Sequence, residues 1–276
     1  MDLGSVGESH QQDDLSPLKK EKFFRARIVE RRDIADDLWS IRVRLGAEFH
    51  FAAGQYATLG VVTPAKHIER PYSIVSSPYE PELEFFFELV PRGELTPALY
   101  KLQVGDELTV RRMPKGRFTL DTDNVAKRKN HLLLCTVTGV APFVSYIRTL
   151  SSDAQQNKFP DGHKLFLLEG ASRSWEFGYP DELKRFAAEV PWLEYVPTIS
   201  RPWEDSKWTG EVGRVDDLIR KYSQLWGLTP ETTSAYLCGH PKMIENGKGI
   251  LLRAGWLKEQ IKEEIYFVPK ERAAAI

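Results

Sequence analysis

Cysteine is scarce in this 276-residue chain, where only Cys135 and Cys238 occur. A disulfide framework is therefore not expected, and the chain alone cannot supply the four thiolates of an iron–sulfur cluster or a structural zinc site. No metal site is predicted. Any redox chemistry must use another cofactor.

Long hydrophobic runs and an excess of one charge are also missing. The longest apolar stretch, residues 132–144, contains Thr136, Thr138 and Gly139 and is shorter than the roughly 20 residues that span a bilayer. The formal net charge is −1, and acidic and basic residues are interspersed, so neither a membrane segment nor a nucleic-acid partner is predicted. The polar residues 1–18 lack the order of a secretory signal, which predicts a disordered tail on a cytoplasmic protein.

The first half of the chain has the pattern of an all-β domain. Alternating apolar residues from Trp39 to Leu45 are typical of a sheet with one solvated face. Four later segments are short, rich in aromatic and β-branched residues, and bounded by proline or glycine: Tyr56–Val61, Tyr72–Val75, Leu83–Val90 and Glu107–Arg112. We expect residues 19–127 to form a small antiparallel β-barrel.

The second half alternates apolar runs with segments of helical periodicity. The runs have the continuous hydrophobicity of parallel strands that are covered on both faces: Leu132–Cys135, Leu165–Leu168, Tyr195–Thr198 and Ala235–Cys238. Asp181–Val190 and Val215–Tyr222 carry apolar residues at helical spacing. Residues 128–276 are therefore predicted to form an α/β domain with a doubly wound parallel sheet.

One segment of the β half carries groups that suit a phosphorylated aromatic cofactor. Arg70-Pro71-Tyr72-Ser73 places a cation, a ring and a hydroxyl on one strand, with Arg70 and Tyr72 on the same face. An arginine can bind a pyrophosphate through two hydrogen bonds, and a tyrosine can stack on a flat heterocycle. An exposed arginine beside a core tyrosine explains these four residues equally well.

Glycine turns and strand ends supply further candidates. Gly93-Glu94-Leu95-Thr96 precedes a predicted short helix, Pro97–Leu102, whose first N–H groups could bind an anion, although an ordinary helix cap has the same pattern. In the α/β half, small or polar residues follow the strands at the edge where such sheets bind nucleotides: Thr138, Gly139, Ala171, Ser172, Arg173, Ser200, Arg201, Cys238 and Gly239. Each alone is more often a structural turn, a surface arginine or a small buried side chain.

The order of these motifs resembles the ferredoxin–NADP reductase family over about residues 23–267. RPYS at 70–73, GxxTP at 93–97, LxxGDELTV at 102–110 and Gly116 match the pattern of its FAD domain. Residues 135–143 and 237–243 are similar to the segments with which the family binds NADP(H). The resemblance implies FAD and NADP(H) as cofactors, and it covers nearly the whole chain outside the two ends.

The resemblance also implies residue roles. FAD would be held by Arg70, Pro71, Tyr72, Ser73, Phe86, Glu94, Leu95 and Thr96. NADP(H) would contact Thr138, Gly139, Ala171, Ser172, Arg173, Ser200, Arg201, Arg214, Cys238 and Gly239. Tyr266 and Phe267 would cover one face of the flavin, and the catalytic candidates are Ser73 near flavin N5, Cys238 near the nicotinamide, and Tyr266.

Two positions depart from the family pattern or leave it ambiguous. Val137 stands where the family usually has glycine, and a β-branched residue restricts both the backbone and the approach of a ligand. In Gly210-Glu211-Val212-Gly213-Arg214, the family arginine aligns either with Arg214 or with Glu211. The second alignment would weaken the preference for NADP(H).

The function that the resemblance implies is electron exchange between NADP(H) and ferredoxin or flavodoxin, by a monomeric FAD enzyme. Basic residues could form a rim that attracts an acidic carrier: Lys19, Lys20, Lys22, Arg111, Arg112, Lys115 and Arg117. The alternatives are the reductase component of an oxygenase or a free-flavin reductase. A non-catalytic binding module, which would lack the yellow colour of a flavin, is the alternative from another class.

Overall fold

The computed structural model describes residues 22–120 and 128–265, which form two six-stranded sheets. The first sheet is antiparallel, with the strand order β4-β3-β6-β1-β2-β5. Its strands are β1 (Phe23–Ala35), β2 (Leu38–Leu45), β3 (Tyr56–Val62), β4 (His67–Ser73), β5 (Leu83–Glu88) and β6 (Glu107–Arg111), and the short helix α1 (Thr96–Tyr100) follows β5. Just past β4, Val75 N donates to Glu84 O of β5 at 2.8 Å, so the two edges of the sheet approach each other as in the predicted barrel.

Aromatic side chains from neighbouring strands fill this first domain. Trp39 of β2 lies opposite Phe87 of β5, and the two rings stack with their centroids 5.2 Å apart. Tyr72 of β4 meets Phe87 edge-on at 4.8 Å. Burying a large ring contributes roughly 2–3 kcal/mol. The alternating pattern of β2 therefore identifies the face that turns inward, because a shift of one residue would expose Trp39.

The second sheet is parallel, with the strand order β10-β9-β8-β7-β11-β12. Its strands are β7 (Asn130–Thr136), β8 (Lys164–Ala171), β9 (Leu193–Ile199), β10 (Glu211–Val212), β11 (Thr233–Gly239) and β12 (Ile261–Ile265). Four helices connect them: α2 (Ala141–Gln155), α3 (Pro180–Glu189), α4 (Ile219–Leu225) and α5 (Pro241–Arg253). This order confirms the predicted doubly wound α/β architecture.

Both faces of the parallel sheet are buried, which explains the continuous hydrophobic runs. Leu133 and Leu167 pack with apolar residues of α2 and α3 on one face. Leu134 and Leu168 pack with α4 and α5 on the other. A strand covered on both sides has no position for a solvated side chain, so its sequence does not alternate.

The largest differences from the sequence-based prediction are at two element boundaries. The helix expected over Val215–Tyr222 begins only at Ile219, because the preceding residues form turns in which Leu218 N donates to Val215 O. The strand expected at Tyr72–Val75 overlaps only the last two residues of a strand that begins earlier, His67–Ser73. Proline at position 71 is tolerated there because β4 is an edge strand of the sheet.

Several predictions concern residues that the structure does not describe. The tail over residues 1–18, Lys19 and Lys20, and the aromatic pair Tyr266 and Phe267 lie outside the described residues. The predicted boundaries of the two domains likewise stay predictions. Within residues 22–120 and 128–265, no helix has both the length and the apolar character needed to cross a membrane.

Candidate active site

A cavity of about 930 Å³ lies between the barrel and the carboxyl ends of the parallel strands. The barrel contributes residues 37–38 and 88–91, and the α/β domain contributes residues that follow β7, β8, β9 and β11. Seven residues predicted to bind NADP(H) line it: Thr138, Ala171, Ser172, Ser200, Arg201, Arg214 and Gly239. Its volume is typical of a ligand pocket, and its place at the strand ends is where open α/β sheets bind nucleotides.

The two described catalytic candidates meet through a glutamate. Ser73, at the end of β4, is buried and donates a hydrogen bond of 2.9 Å from its hydroxyl to Oε1 of Glu264. Glu264 lies in β12, in register with Cys238 of β11. Ser73 and Cys238 are therefore brought to the same junction from opposite domains, and Glu264 connects them.

The backbone of the loop after β7 is strained at Val137, whose φ angle is +46°. Non-glycine residues rarely adopt this left-handed conformation, and it is least favourable for a β-branched residue. The Val137 side chain packs against the apolar cluster formed by Ala171, Phe177 and Ile199 and also lines the cavity. At the position where the family usually has glycine, this chain thus combines a glycine-like backbone with an apolar side chain.

Two glycines allow the loops after β7 and β11 to touch. A Cβ atom on Gly139 would clash with the backbone of Cys238. Gly239 has a φ angle of +127°, and a Cβ atom there would clash with Thr136. The Thr136 hydroxyl also accepts a hydrogen bond of 2.8 Å from His240 N. These contacts form one wall of the cavity from backbone and small side chains, which leaves room for a ligand.

The arginines predicted to bind the 2′-phosphate differ in orientation. Arg201 and Arg214 line the cavity, and each side chain is about half exposed. Arg173 is not among the lining residues, because its guanidinium pairs with Glu176 at 2.9 Å and with Glu204. The loops themselves are joined through the backbone, since Ser200 N donates to Ala171 O and Arg201 N to Ser172 O, both at 3.0 Å.

Arg214, rather than Glu211, faces the cavity. Glu211 begins the two-residue strand β10 and its carboxylate pairs with Lys221 at 2.5 Å, away from the lining residues. Arg214 lies three residues later, and its Nε is 3.3 Å from Oδ1 of Asp216. The geometry therefore favours the alignment in which the family arginine corresponds to Arg214.

On the barrel, Arg70 is exposed and paired with the loop that precedes α1. Its Nη2 donates to Glu94 Oε2 at 2.7 Å, and Lys66 pairs with the other oxygen of the same carboxylate. The Thr96 hydroxyl accepts from Val90 N at 3.0 Å and thereby closes the loop. Two cations thus converge on the loop that is predicted to bind the flavin's phosphates, with Glu94 between them.

The apolar members of the predicted FAD site are mostly buried. Tyr72 packs against Phe87. Burial raises the pKa of the Tyr72 hydroxyl to about 12, against a smaller opposing effect of Arg70, so this hydroxyl stays protonated.

Leu95 belongs to the barrel core, so its backbone is the part that can face a phosphate. Phe86 is buried in the domain interface, where its ring meets Tyr179 edge-on at 5.6 Å. Pro71 separates Arg70 from Tyr72 on β4 and is exposed.

The residues present fit FAD and NADP(H) chemically. A flavin dinucleotide needs cations for its pyrophosphate and a ring or hydroxyl for its heterocycle, which Lys66, Arg70, Tyr72 and Ser73 provide. A nicotinamide dinucleotide needs small residues and arginines at strand ends, which line the cavity. Among the described residues, no group of three or more His, Cys, Asp or Glu side chains could hold a metal ion.

A buried ionic cluster fixes the two domains to each other. Glu84 of β5 accepts hydrogen bonds from Arg148 of α2 at 2.7 Å, from Arg42 of β2 at 2.9 Å and from the Tyr179 hydroxyl at 2.8 Å. Arg148 also donates two hydrogen bonds to Glu182 of α3. Burial alone would raise the pKa of Glu84, but Arg148 and Arg42 outweigh that effect and hold it below its usual value.

Glu264 and the Glu84 cluster were not predicted from the sequence. Glu264 lies in the terminal segment Glu263–Val268 that resembles the family's flavin-covering segment, yet its contact with Ser73 depends on the pairing of β11 with β12. Arg42 and Glu84 lie opposite each other on paired strands. In the sequence, the Glu84 cluster is indicated by a charged residue in each of two strands that are rich in apolar and aromatic residues, because a buried charge needs a partner of opposite sign.

Comparisons with known proteins agree with this geometry. Residues 25–120 match the family model described as an oxidoreductase FAD-binding domain, and residues 133–248 match the oxidoreductase NAD-binding domain. The chain is 31% identical over 242 residues to the ferredoxin–NADP reductase of Pseudomonas aeruginosa, covering 83% of this chain and 88% of that protein. It is 29% identical over 225 residues to the flavodoxin/ferredoxin–NADP reductase of Escherichia coli, covering 80% and 86%.

A solved structure extends the similarity to the whole fold. The ferredoxin–NADP reductase of Neisseria gonorrhoeae with bound FAD and NADP superimposes with a TM-score of 0.77 and 26% sequence identity. The match covers 89% of this chain and 99% of that one. Both domains and their order thus have counterparts in one group of enzymes, and the chain belongs to the ferredoxin–NADP reductase family.

Proposed function

We propose that the protein is an FAD-dependent enzyme that exchanges electrons between NADP(H) and ferredoxin or flavodoxin. The observation that carries this proposal is the meeting of Ser73, Glu264 and Cys238 where the two domains join. Bound FAD supplies the chemistry, because a flavin accepts two electrons as hydride and passes them on one at a time. The protein binds the two cofactors, orients them and excludes water.

The side chains divide between the two cofactors. Arg70 and Lys66 would bind the pyrophosphate of FAD beside the loop of residues 93–96, and Tyr72 would lie against its heterocycle. Thr138 and Gly239 would surround the nicotinamide end of NADP(H), while Arg201 and Arg214 would bind its 2′-phosphate. A planar guanidinium matches a phosphate through two parallel hydrogen bonds.

Ser73 and Glu264 would act as a pair at the reacting end of the flavin. The serine hydroxyl donates to the carboxylate at 2.9 Å, so its oxygen keeps two lone pairs that can accept a hydrogen bond. This fixes the rotation of the hydroxyl before any ligand arrives. Orientation that is established in advance lowers the entropic cost of reaching the reactive geometry.

Four exposed cations on the barrel support an acidic protein partner. They are Lys22, Arg112, Lys115 and Arg117. Met113, which is 71% exposed, lies among them, and the guanidinium of Arg112 lies 4.3 Å from the centroid of the Phe24 ring. Arg111 is partly neutralised by Glu69 at 2.6 Å. A basic rim around an apolar contact accelerates the encounter with a carrier of opposite charge. We place the enzyme in the cytoplasm as a monomer.

Anaerobic rapid mixing of the purified protein with NADPH tests the proposal. Bleaching of the flavin band, followed by reoxidation with ferredoxin or flavodoxin, is the expected result. Electron transfer to free FMN but not to either carrier protein would favour a flavin reductase, and transfer only to an oxygenase would favour an oxygenase component. A protein that purifies without flavin and does not bind added FAD would be a binding module, and the proposal would be wrong.

A further inference from the structure

Carboxylates crowd the arginines at the proposed 2′-phosphate site. Arg173 donates from Nη1 to Glu176 at 2.9 Å and from Nε to Glu204 at 2.6 Å. Arg201 lies with its Nη1 3.6 Å from the other oxygen of Glu204. Glu204 therefore binds one arginine outside the cavity and one in its lining, and a phosphate must compete with it for both.

The turn after β9 holds Glu204 in this position. Glu204 N donates to Arg201 O at 3.0 Å, and this hydrogen bond closes a tight turn from Arg201 to Glu204. The adjacent Asp205 accepts a hydrogen bond of 2.9 Å from Ser174 N, so the loops after β8 and β9 are tied together. The position of the Glu204 carboxylate is thus set by backbone contacts as well as by the arginines.

The proposed 2′-phosphate site has no excess of positive charge. The cations are Arg173, Arg201, Arg214 and Lys207, which faces Asp205. The carboxylates are Glu176, Glu204, Asp205 and Asp216. The four cations and the four carboxylates give these side chains a net charge of about zero. A phosphate monoester carries about −1.5 to −2 charges at pH 7, so these side chains do not neutralise it.

We propose that Glu204 is a specificity-determining residue that limits the preference for the phosphorylated nucleotide. It holds Arg173 away from the cavity, offsets the positive charge of Arg201, and offers an acceptor that suits a 2′-hydroxyl but repels a 2′-phosphate. This inference rests on the proposed function, because it concerns the same nucleotide site. It predicts an enzyme that uses NADPH and NADH with a small difference in kcat/KM.

Binding of two fragments separates this role from a merely structural one. The dissociation constants of 2′,5′-ADP and 5′-AMP are measured by calorimetry for the wild type and for Glu204→Gln. Removal of one charge from a partly exposed site changes the affinity for a dianion roughly tenfold. We expect 2′,5′-ADP to bind about tenfold more tightly to the variant, while 5′-AMP binds equally or more weakly.

Two further variants complete the test. Glu211→Gln removes a carboxylate from the neighbouring strand β10, outside the cavity lining, and should leave both dissociation constants unchanged. Adding Arg173→Gln to Glu204→Gln should cancel most of the gain, since the gain requires a released Arg173. An unchanged ratio of the two affinities in Glu204→Gln, in a protein that NADPH still reduces, would overturn this inference and leave the proposed function intact. Failure of NADPH to reduce any form would instead refute the proposed function.

Discussion

Ser73 and Glu264 lie 191 positions apart in the chain, yet the serine hydroxyl donates a hydrogen bond of 2.9 Å to the glutamate carboxylate. The contact joins the end of β4 in the barrel to β12 at the edge of the parallel sheet. Because Glu264 is also in register with Cys238, a change in the docking of the domains would move Ser73 away from both residues. The geometry of the candidate active site therefore depends on the relative orientation of the two domains.

Replacement of Ser73 by alanine should slow reduction of the flavin without releasing it. The variant loses one hydrogen bond to a charged group, worth about 1.5–3 kcal/mol, which corresponds to a roughly 10- to 100-fold lower rate if it acts in the transition state. Glu264→Gln keeps an acceptor oxygen and should have the smaller effect. Stopped-flow reduction by NADPH measures the rate, and the absorbance spectrum measures FAD content. A wild-type rate in flavin-saturated Ser73→Ala would contradict the assigned role.

The stability of Val137 variants should follow an unusual order. Val137→Ala keeps a Cβ atom at φ +46° and loses apolar contacts, whereas Val137→Gly removes the backbone strain, which costs of order 1–3 kcal/mol for such residues. Alanine normally stabilises a protein relative to glycine. Here we expect the glycine variant to be at least as stable as the alanine variant, as measured by urea unfolding. The opposite order, with alanine clearly more stable, would show that the conformation at residue 137 is not strained.

The sequence predicted the architecture because each part of it is encoded locally. Alternation along β2, continuous apolar runs in β7 and β8, and glycines at loop contacts report which faces are buried without knowledge of distant partners. Contacts that depend on register were not predictable in this way. The Ser73–Glu264 hydrogen bond, the Glu84 cluster and the carboxylates around Arg173 each require the pairing of elements that are far apart in the chain. The positive φ of Val137 is equally invisible, because valine ordinarily excludes it.

Removal of the Glu84 charge should weaken the attachment of the two domains. Glu84→Gln leaves the buried guanidinium of Arg148 with Glu182 at 2.7 Å and the more distant Glu80 at 3.5 Å, and breaking a buried ion pair costs about 3–5 kcal/mol. We expect a loss near the lower end of this range in urea unfolding. Glu82→Gln, which breaks the more exposed pair with Arg44, is the matched control and should cost less than about 1 kcal/mol. Equal losses in the two variants would mean that the Glu84 cluster contributes no more than a surface ion pair.

Glu169 should make the folded protein less stable as the pH rises. Its carboxyl group on β8 is completely buried, accepts a hydrogen bond of 2.5 Å from the Tyr195 hydroxyl, and has its other oxygen without a hydrogen-bond partner among the described residues. Burial raises its pKa from 4.5 to about 7, against a smaller opposing effect of the Tyr195 hydrogen bond. The folded state therefore holds a proton that the unfolded state releases from about pH 4.5 upward, so this contribution is lost as the pH rises through 7.

Glu169→Gln removes this proton while keeping the shape of the side chain. Relative to the variant, the wild type should lose roughly 2–3 kcal/mol of unfolding free energy between pH 5 and pH 8, measured by urea titration at several pH values. Glu194→Gln, an exposed change on the neighbouring strand β9, should follow the wild-type curve. Parallel curves for the wild type and Glu169→Gln would show that the buried carboxyl does not exchange its proton on unfolding in this range. Curves that diverge as the pH rises would identify Glu169 as a carboxylic acid that is neutral in the folded protein. Glu169 lies on β8, two residues before Ala171, which lines the cavity.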